Sequence, residues 1–533
     1  MRRAFEELEI KNMKPSWQKS FALMLGTMLL IQMVGCISKE KYYEQTSQAR
    51  EESYQAWKNR KERPQESGVL ISGKLSIEDC LKLTLVNNKT LQRVLEEKKI
   101  AKGEELKSYS VMLPTVSLTG GYTRKDQVAS LGSISFGSLN NYSVGLSISQ
   151  PLFAGGSIIA TINSARLASL LTDQTIRTVF QDAIYTSNHL YYDVLLNQHL
   201  FEISADAVHS AQAHLDSVKQ KRQAGVASDF DVLRAEVELS NFKAEHIQSK
   251  NDINIAKASL LKAMGVSQDS EITLSDELVY IPSDVNIEQA VETAYKNRPD
   301  LFGRQFDITL QKELLNIARS RYFPTINANH TDMWSNPDPH NSTKLQWGHA
   351  WQAGLSVTTL LFDGFAREGE VIQQKARLRQ AHINLTDAEE TALFELAKAQ
   401  LGIENAAEFV ESQKLNFTRW QESLRLAEVG YKEGVNTQVE IIDAQAALTK
   451  AKSFYYLAVY THMIAKLDLQ KAMGVLSPKL QDDATTKSDA EVQSTRTDDK
   501  EDDKIIEEDK IISQKADLLK EASVDGHTVG EPK

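Results

Sequence analysis

The feature that most restricts how this chain can fold is that it repeats itself. Leu260–Val266 reads LLKAMGV and Leu469–Val475 reads LQKAMGV, so the residues KAMGV recur 209 positions apart. The echo extends backwards. LSIEDCLKLTLVNNKTL (75–91) aligns with VNIEQAVETAYKNRPDL (285–301), and VMLPTVSL (111–118) with RYFPTINA (321–328), both at an offset of 210. GLSISQPLFAGG (145–156) aligns with GLSVTTLLFDGF (354–365), and AGVASDFDVL (224–233) with EGVNTQVEII (433–442), both at 209. The slip of one residue falls between Pro114 and Gly145, where a surface hairpin absorbs an indel. At 533 residues the chain is too long for one ordinary domain, and two copies of one unit account for most of it. The expected division is a first repeat over 71–267, a linker over 268–282 and a second repeat over 283–476.

Each unit is expected to run helix, two strands, then two long helices. The opening helix starts near Ser76, where Glu78 and Asp79 suit a helix N-terminus, and is stopped by Pro114; its counterpart is stopped by Pro324. No Gly or Pro interrupts the 68 residues from Ser157 to Ala224. A helix of that length reaches ~100 Å. Val226–Met264 is a second such run, Glu370–Val429 is broken only by Gly402, and Val435–Met473 is unbroken. Val194, Phe201, Val208 and Leu215 keep a seven-residue beat, with Tyr191 and Ala205 in the neighbouring seam, which predicts coiled-coil packing. Lys262 and Lys471 suit helix C-termini, and Gly265 and Gly474 suit helix stops.

The helices alone fit a long soluble bundle equally well. The strands separate the two. In YSVGLSISQ, Tyr142, Val144, Leu146 and Ile148 alternate with Ser143, Gly145, Ser147 and Ser149; WQAGLSVTT repeats the pattern with Trp351, Ala353, Leu355 and Val357. Val116, Leu118 and Tyr122 alternate likewise, whereas the strand from Thr325 is poorer, carrying Asn327, Asn329 and Asp332. The polar face is built of very small residues, as the lining of a lumen is, and strands of about ten residues match a membrane β-barrel. Four strands cannot close such a barrel, which needs at least about eight. Alternation alone also fits a soluble sheet packed on a core; if these strands span a membrane, no sheet edge can face lipid and several chains must share one barrel.

The start of the chain carries an export signal. From Met13, the expected true start, Lys14 and Lys19 form a basic region before the apolar run Phe21–Val34, too short to span a bilayer as a helix. It ends in Met33-Val34-Gly35-Cys36, similar to a bacterial lipobox, which makes 1–36 a signal peptide and Cys36 a lipid anchor, followed by a leader over 37–70. At the other end, 477–533 is an acidic tail expected to be disordered. From Lys479 onward it holds 16 acids against 9 bases, most of the chain's net −11. That charge argues against nucleic acid as a partner.

Taken together, LSIEDCLKLTLVNNKTL, Leu113-Pro114, SISQPLFAGG, AGVASDFDVLRAEVEL and LLKAMGV, in order and with their second-unit echoes, resemble the TolC-type outer-membrane efflux factors; Cys36 is similar to their lipoprotein branch. The resemblance spans Leu75–Val475. It implies a mainly α chain with a small β part, assembling as a homotrimer: a twelve-stranded outer-membrane β-barrel continuous with a periplasmic α-helical barrel. It implies a Gram-negative outer-membrane location in contact with lipid, and a passive conduit of a tripartite efflux or type I secretion system exporting drug, metal or protein. Its partners would be a periplasmic adaptor protein and an inner-membrane pump of RND or ABC type. The turns at Gly225-Val226 and Gly434-Val435, with Tyr431, would be periplasmic tips contacting the adaptor. Glu440 and Asp443, with Asp231 and Arg234 at the equivalent first-unit positions, would ring the closed aperture, three chains bringing six second-unit carboxylates together. Asn436 stands where the family often has a basic residue, which argues against a copied salt-bridge lock. The alternative is a structural periplasmic coiled-coil lipoprotein without a pore.

No catalytic arrangement, cofactor site or metal site is expected. Two cysteines, Cys36 and Cys80, exclude a disulfide framework, and Cys80, whose repeat counterpart is Ala290, reads as a small core residue. His189, His199, His209 and His214 read as solvated helix residues, and His330, His340 and His349 as extracellular loop residues. SLGSISFGSLNN is Gly/Ser-rich but lacks the ending of a phosphate loop.

Overall fold

A computed structural model describes residues 39–62, 71–131 and 134–476. The signal segment with Cys36, part of the leader, and the acidic tail lie outside the described residues. In chain order the elements begin with α1 (Lys39–Glu62), β1 (Ser72–Leu75), α2 (Ile77–Asn87), α3 (Lys89–Ser108) and β2 (Thr115–Arg124). Next come β3 (Ala129–Leu131), β4 (Ile134–Phe136), β5 (Asn140–Ala154), α4 (Ser157–Gln223), α5 (Asp229–Met264) and β6 (Glu271–Leu274). The second half runs α6 (Ile287–Asn297), α7 (Pro299–Ser320), β7 (Thr325–Asn336), β8 (Gly348–Thr358), α8 (Ala366–Lys432) and α9 (Gln438–Ala472). Helices α4 and α8 are each 67 residues, the same length in both halves.

The opening helix of each half is two helices, not one. Asn88 holds an extended backbone, and its Oδ1 accepts from the N–H groups of Thr90 and Leu91, capping α3. In the second half Arg298 takes the same extended conformation ahead of Pro299, which disfavours an α conformation at the residue before it and suits a first helical position. The signals NNKT and NRPDL were present; the periodicity of the flanking apolar residues masked them. A second departure is β6, which lies in the expected linker and pairs in parallel with β1 through Ser72–Glu271 and Leu75–Leu274.

The break has a purpose in packing. Helix α5 ends at Gly265 in the left-handed region, and its C-terminus abuts the α2–α3 joint: a Cβ on Gly265 would collide with the Asn87 carbonyl, and Asn88 Nδ2 donates to the Ala263 carbonyl at 2.8 Å. Helix α9 meets the α6–α7 joint in the same way. A Cβ on Gly474 would lie 2.9 Å from Arg298, whose guanidinium donates to the Ala472 carbonyl at 3.1 Å and is held by Asp300 and Glu395. The repeated KAMGV therefore marks where α5 stacks end-on with α3, and α9 with α7. Along the upper half the neighbours run α3, α4, α7, α8; along the lower half they run α5, α4, α9, α8. One chain supplies four long staves, two continuous and two jointed.

The largest core lies near the joints, where Tyr191, Val194, Leu260, Met264 and Val459 are fully buried and Cys80 packs among them. Burial, with Asp79 and Asp276 nearby, pushes the Cys80 thiol up to about 12, so it stays a neutral core group. Towards the α4–α5 turn the seam is Ala207, Ala211, Leu215 and Val218 against Val232, Ala235, Leu239 and Phe242. The expected beat is thus half correct: Val194 and Leu215 are buried, while Phe201 and Val208 flank the seam half-buried. Small alanines occupy the closest approach of the two helices.

The main sheet is antiparallel in the order β2-β5-β7-β8, so the hairpins of the two halves join through β5 and β7 and both outer strands have an open edge. Register puts Leu118, Leu146, Asp332 and Trp351 in one row and Ser117, Ser147, Thr331 and Gln352 in the next. The apolar rows are uncovered: Leu118 is 74% exposed, Trp351 65% and Leu355 70%. The polar face is cross-linked by Asn329, which accepts from Ser149 Oγ at 2.9 Å and donates to Ser356 Oγ at 3.0 Å. That explains one of the polar residues that weakened β7 as a strand pattern. Another, Asp332, lies on the apolar side and is bracketed by His330 and His349 at 3.0 and 2.8 Å, with Trp334 stacked on His349. These two histidines are strand residues, not loop residues as expected; His340 alone lies in the connecting loop.

Candidate functional site

At the end of the helices far from the sheet, each long hairpin turns in the same way. Helix α4 stops at Gly225 (φ +79°), where Val226 N–H donates back to the Lys221 carbonyl at 2.9 Å; α8 stops at Gly434 (φ +78°), where Val435 N–H donates to the Gly430 carbonyl at 2.8 Å. The positive φ makes glycine the residue of choice at both turns. Val226 and Val435 then project into solvent, 75% and 80% exposed. Each turn therefore presents an exposed apolar knob.

Both return helices open with the same capping device. Asp231 Oδ2 accepts from the Ser228 backbone N–H at 2.9 Å and from its hydroxyl at 2.7 Å. Glu440 Oε2 accepts from the Thr437 N–H at 3.1 Å. In each case the third helical residue reaches back and satisfies a donor that the helix start leaves unpaired. The Ser228 hydrogen bonds, with Arg234 nearby, hold the Asp231 carboxyl below its ordinary range. Asp443, one turn further on, is exposed and carries no such duty. The four aperture candidates therefore divide. Asp231 and Glu440 serve their own helix starts, while Arg234 and Asp443 point outward with side chains free of the caps.

The two tips also grip each other. Gln438 is buried at the start of α9, and its Nε2 donates to the backbone carbonyl of Asp231 in α5 at 3.0 Å. Lys221 of α4 places its ammonium 3.4 Å from the centre of the Tyr431 ring of α8. Asn436 is tucked against Gly430, where a Cβ would meet its side chain at 2.6 Å, and donates its N–H to the Gly430 carbonyl at 3.1 Å. It acts as packing in its own turn. The sequence missed Gln438, Lys221 and His214; only the fold reveals that they meet across hairpins.

The helical histidines are not simply solvated as expected. His199 stacks on Tyr456 at 4.2 Å, His189 lies between Tyr185 and Tyr460, and His214 sits 5.9 Å from Tyr431; of these four, His209 is the exposed one. Among the described residues no group of three or more metal-ligating side chains is placed to hold an ion. No described helix is long and apolar enough to cross a membrane.

Comparison with known proteins agrees with this architecture. The family described as outer membrane efflux protein matches the chain twice, over residues 83–266 and 290–475. The outer membrane protein TolC of Salmonella enteritidis is 22% identical over 69% of this chain and 75% of its own length. TolC of Escherichia coli is 21% identical over 77% of this chain and 85% of its own length. Among solved structures, a membrane protein from Pseudomonas aeruginosa superposes with a TM-score of 0.68 at 20% identity, over 75% of this chain and 92% of the other.

Proposed function

Because this chain belongs to the outer membrane efflux protein family, we propose that its sheet is one third of a shared barrel and its helical tips are the gate of the conduit. The protein is an outer-membrane channel component for efflux or secretion, and its work is passage, not catalysis. The observation that carries the finer reading is the four-stranded sheet with two open edges, one apolar face uncovered and one lined by Ser, Thr, Gly and Asn. An open edge cannot face hydrocarbon, so β2 of one copy must pair with β8 of the next. The same junction recurs in the helices. In the lower half the outer staves carry uncovered apolar residues, Phe230, Leu233 and Val237 on α5 and Leu415 and Leu426 on α8, all more than half exposed. Patches of that size on staves at opposite ends of the order suit burial against the next copy. Three copies give twelve strands, within the range of membrane barrels of about 8 to 26.

In that assembly the Val226 and Val435 knobs and their glycine turns, with Tyr431, are the docking points for a periplasmic adaptor, through which an inner-membrane pump delivers cargo. Asp443, with Glu440, Asp231 and Arg234 beside it, sets the charge of the aperture. Cys36 would anchor the leader to the membrane. The test is purification in detergent with measured mass, followed by reconstitution in planar lipid bilayers. A trimer that conducts supports the reading. A monomer that inserts without current, and does not cross-link between cysteines placed at positions 118 and 355 of neighbouring copies, overturns it.

A further inference from the structure

Between the two tips lies a cavity of about 470 Å³, walled by all four long helices of the hairpins. We propose that this cavity is a proton-operated lock on the gate, with His214 as the group that takes the proton. The proposal rests on the reading of the tips as the gate and names how that gate is set. Its position is the first support. Ile441, Ile442 and Gln445 of α9 form one wall, while Glu440 and Asp443 lie on the opposite side of the same helix turn, so any widening of the cavity moves the aperture carboxylates. The second support is the state of His214. Its Nε2 is buried and has no hydrogen-bond partner among the described residues. Its ring lies beside Tyr431, which Lys221 also covers from α4.

The charges that face His214 come from three helices. On α4 itself they are His209 and Lys221; from α5, Glu238; from α8, Glu428, Lys432 and the phenol of Tyr431. The α9 wall brings only uncharged groups, and Asp231 is near enough to Tyr431 to act with burial in raising its phenol. Of these groups Lys221 is the one that acts on the imidazole, so a proton on His214 adds a like charge beside it. Burial first, and Lys221 second, hold the imidazole below its ordinary range. The sign follows. The closed tip disfavours the proton, and a hydrated His214 in an opened tip accepts it. Closure is therefore fully stable above the ordinary imidazole range near ~6.5 and weakens as pH falls below it.

The experiment is conductance of the full-length protein in planar bilayers, from about pH 7.5 to about pH 5.5, the range in which an ordinary imidazole gains its proton. The expected result is a several-fold rise for the parent protein, absent in His214→Phe, which keeps the ring, and in His214→Gln, which guards against a folding failure of the first. His382→Gln, an exposed histidine of α8 outside the cavity, keeps the rise. Lys221→Met, which retains the stem over Tyr431 but removes the charge that disfavours the proton in the closed tip, makes the rise smaller. A rise that survives both His214 variants, or no rise in the parent protein, overturns the lock. Gln438→Ala separates the two levels: if it raises conductance at every pH while acid has no effect, the gate stands and the proton lock falls; if neither acts, the gate reading falls as well.

Discussion

Gln438, buried at the first turn of α9, donates its side-chain N–H to the Asp231 carbonyl in the first turn of α5, 3.0 Å away. This bond joins the starts of the two return helices, and the other face of the same amide, Oε1, has no partner among the described residues. Gln438→Ala is expected to lower stability by only about 1 kcal/mol, the usual net value of one such bond, because it also removes an unsatisfied acceptor. Its effect on conduction should be larger than its effect on melting, since the bond spans the two tips. Single-channel recording beside a thermal melt checks this; unchanged current with a lowered melting temperature makes the contact merely structural.

The division among the acidic residues gives a selectivity prediction. Asp443→Asn should reduce cation preference, measured as a reversal potential across a salt gradient, with no loss of stability. Glu440→Gln should change selectivity less, because that side chain is folded back onto Thr437. Glutamine keeps much of the cap, so Glu440→Ala is the stronger test, with an expected loss of about 1 kcal/mol. Equal shifts in reversal potential from positions 440 and 443 would contradict the division.

The Ser228–Asp231 cap carries its own pH dependence. Hydrogen bonds hold the Asp231 carboxyl below its ordinary range, so their stabilisation is fully present above the unfolded value of about 3.9 and is lost as pH falls through the lower, folded one. The difference in melting temperature between the parent protein and Ser228→Ala should be constant from neutral pH down to about 4 and shrink below it. A difference that stays constant to lower pH would show that the carboxylate takes no part.

Glycine pairs distinguish turn from joint. Gly225→Ala meets open space and strains only the backbone, an expected cost of about 1 kcal/mol. Gly265→Ala has the same positive φ and drives its Cβ into the Asn87 backbone, which cannot yield without displacing the α2–α3 joint. A loss of more than about 2 kcal/mol is expected there, read as failure to reach the assembled, heat-resistant form.

The sheet faces are tested by charge. Leu355→Arg places a cation on the exposed apolar face and should cost up to about 2–4 kcal/mol in lipid, seen in urea unfolding from vesicles. Ser147→Arg, on the opposite face, should fold normally and lower conductance.

Much of this was legible beforehand because it lay in periods and repeats. The offset of KAMGV announced two equal halves, and alternation in YSVGLSISQ announced a two-faced sheet. What escaped has a common cause. Asn88 and Arg298 break helices through backbone preferences of single residues, weaker in a pattern than the apolar beat around them. The aperture role of Glu440 is implied by the family resemblance, whereas its use as a cap depends on the rotamer that reaches back to Thr437, which the resemblance does not carry. Gln438 and Asp231 meet across 207 residues, and no local spacing encodes that.

The joints have a mechanical consequence. Helices α4 and α8 run unbroken for 67 residues each, about 100 Å of continuous hydrogen-bonded rod, while the staves between them are spliced at Gly265 and Gly474. Each spliced stave lacks a continuous helical hydrogen-bond ladder across its joint, where the two helix ends are held by the Asn88–Ala263 and Arg298–Ala472 bonds. In the proposed tube, alternating unbroken and spliced staves would combine stiffness along the length with give at the joints, the pairing a valve needs when its seat is fixed in a membrane and its leaves are not.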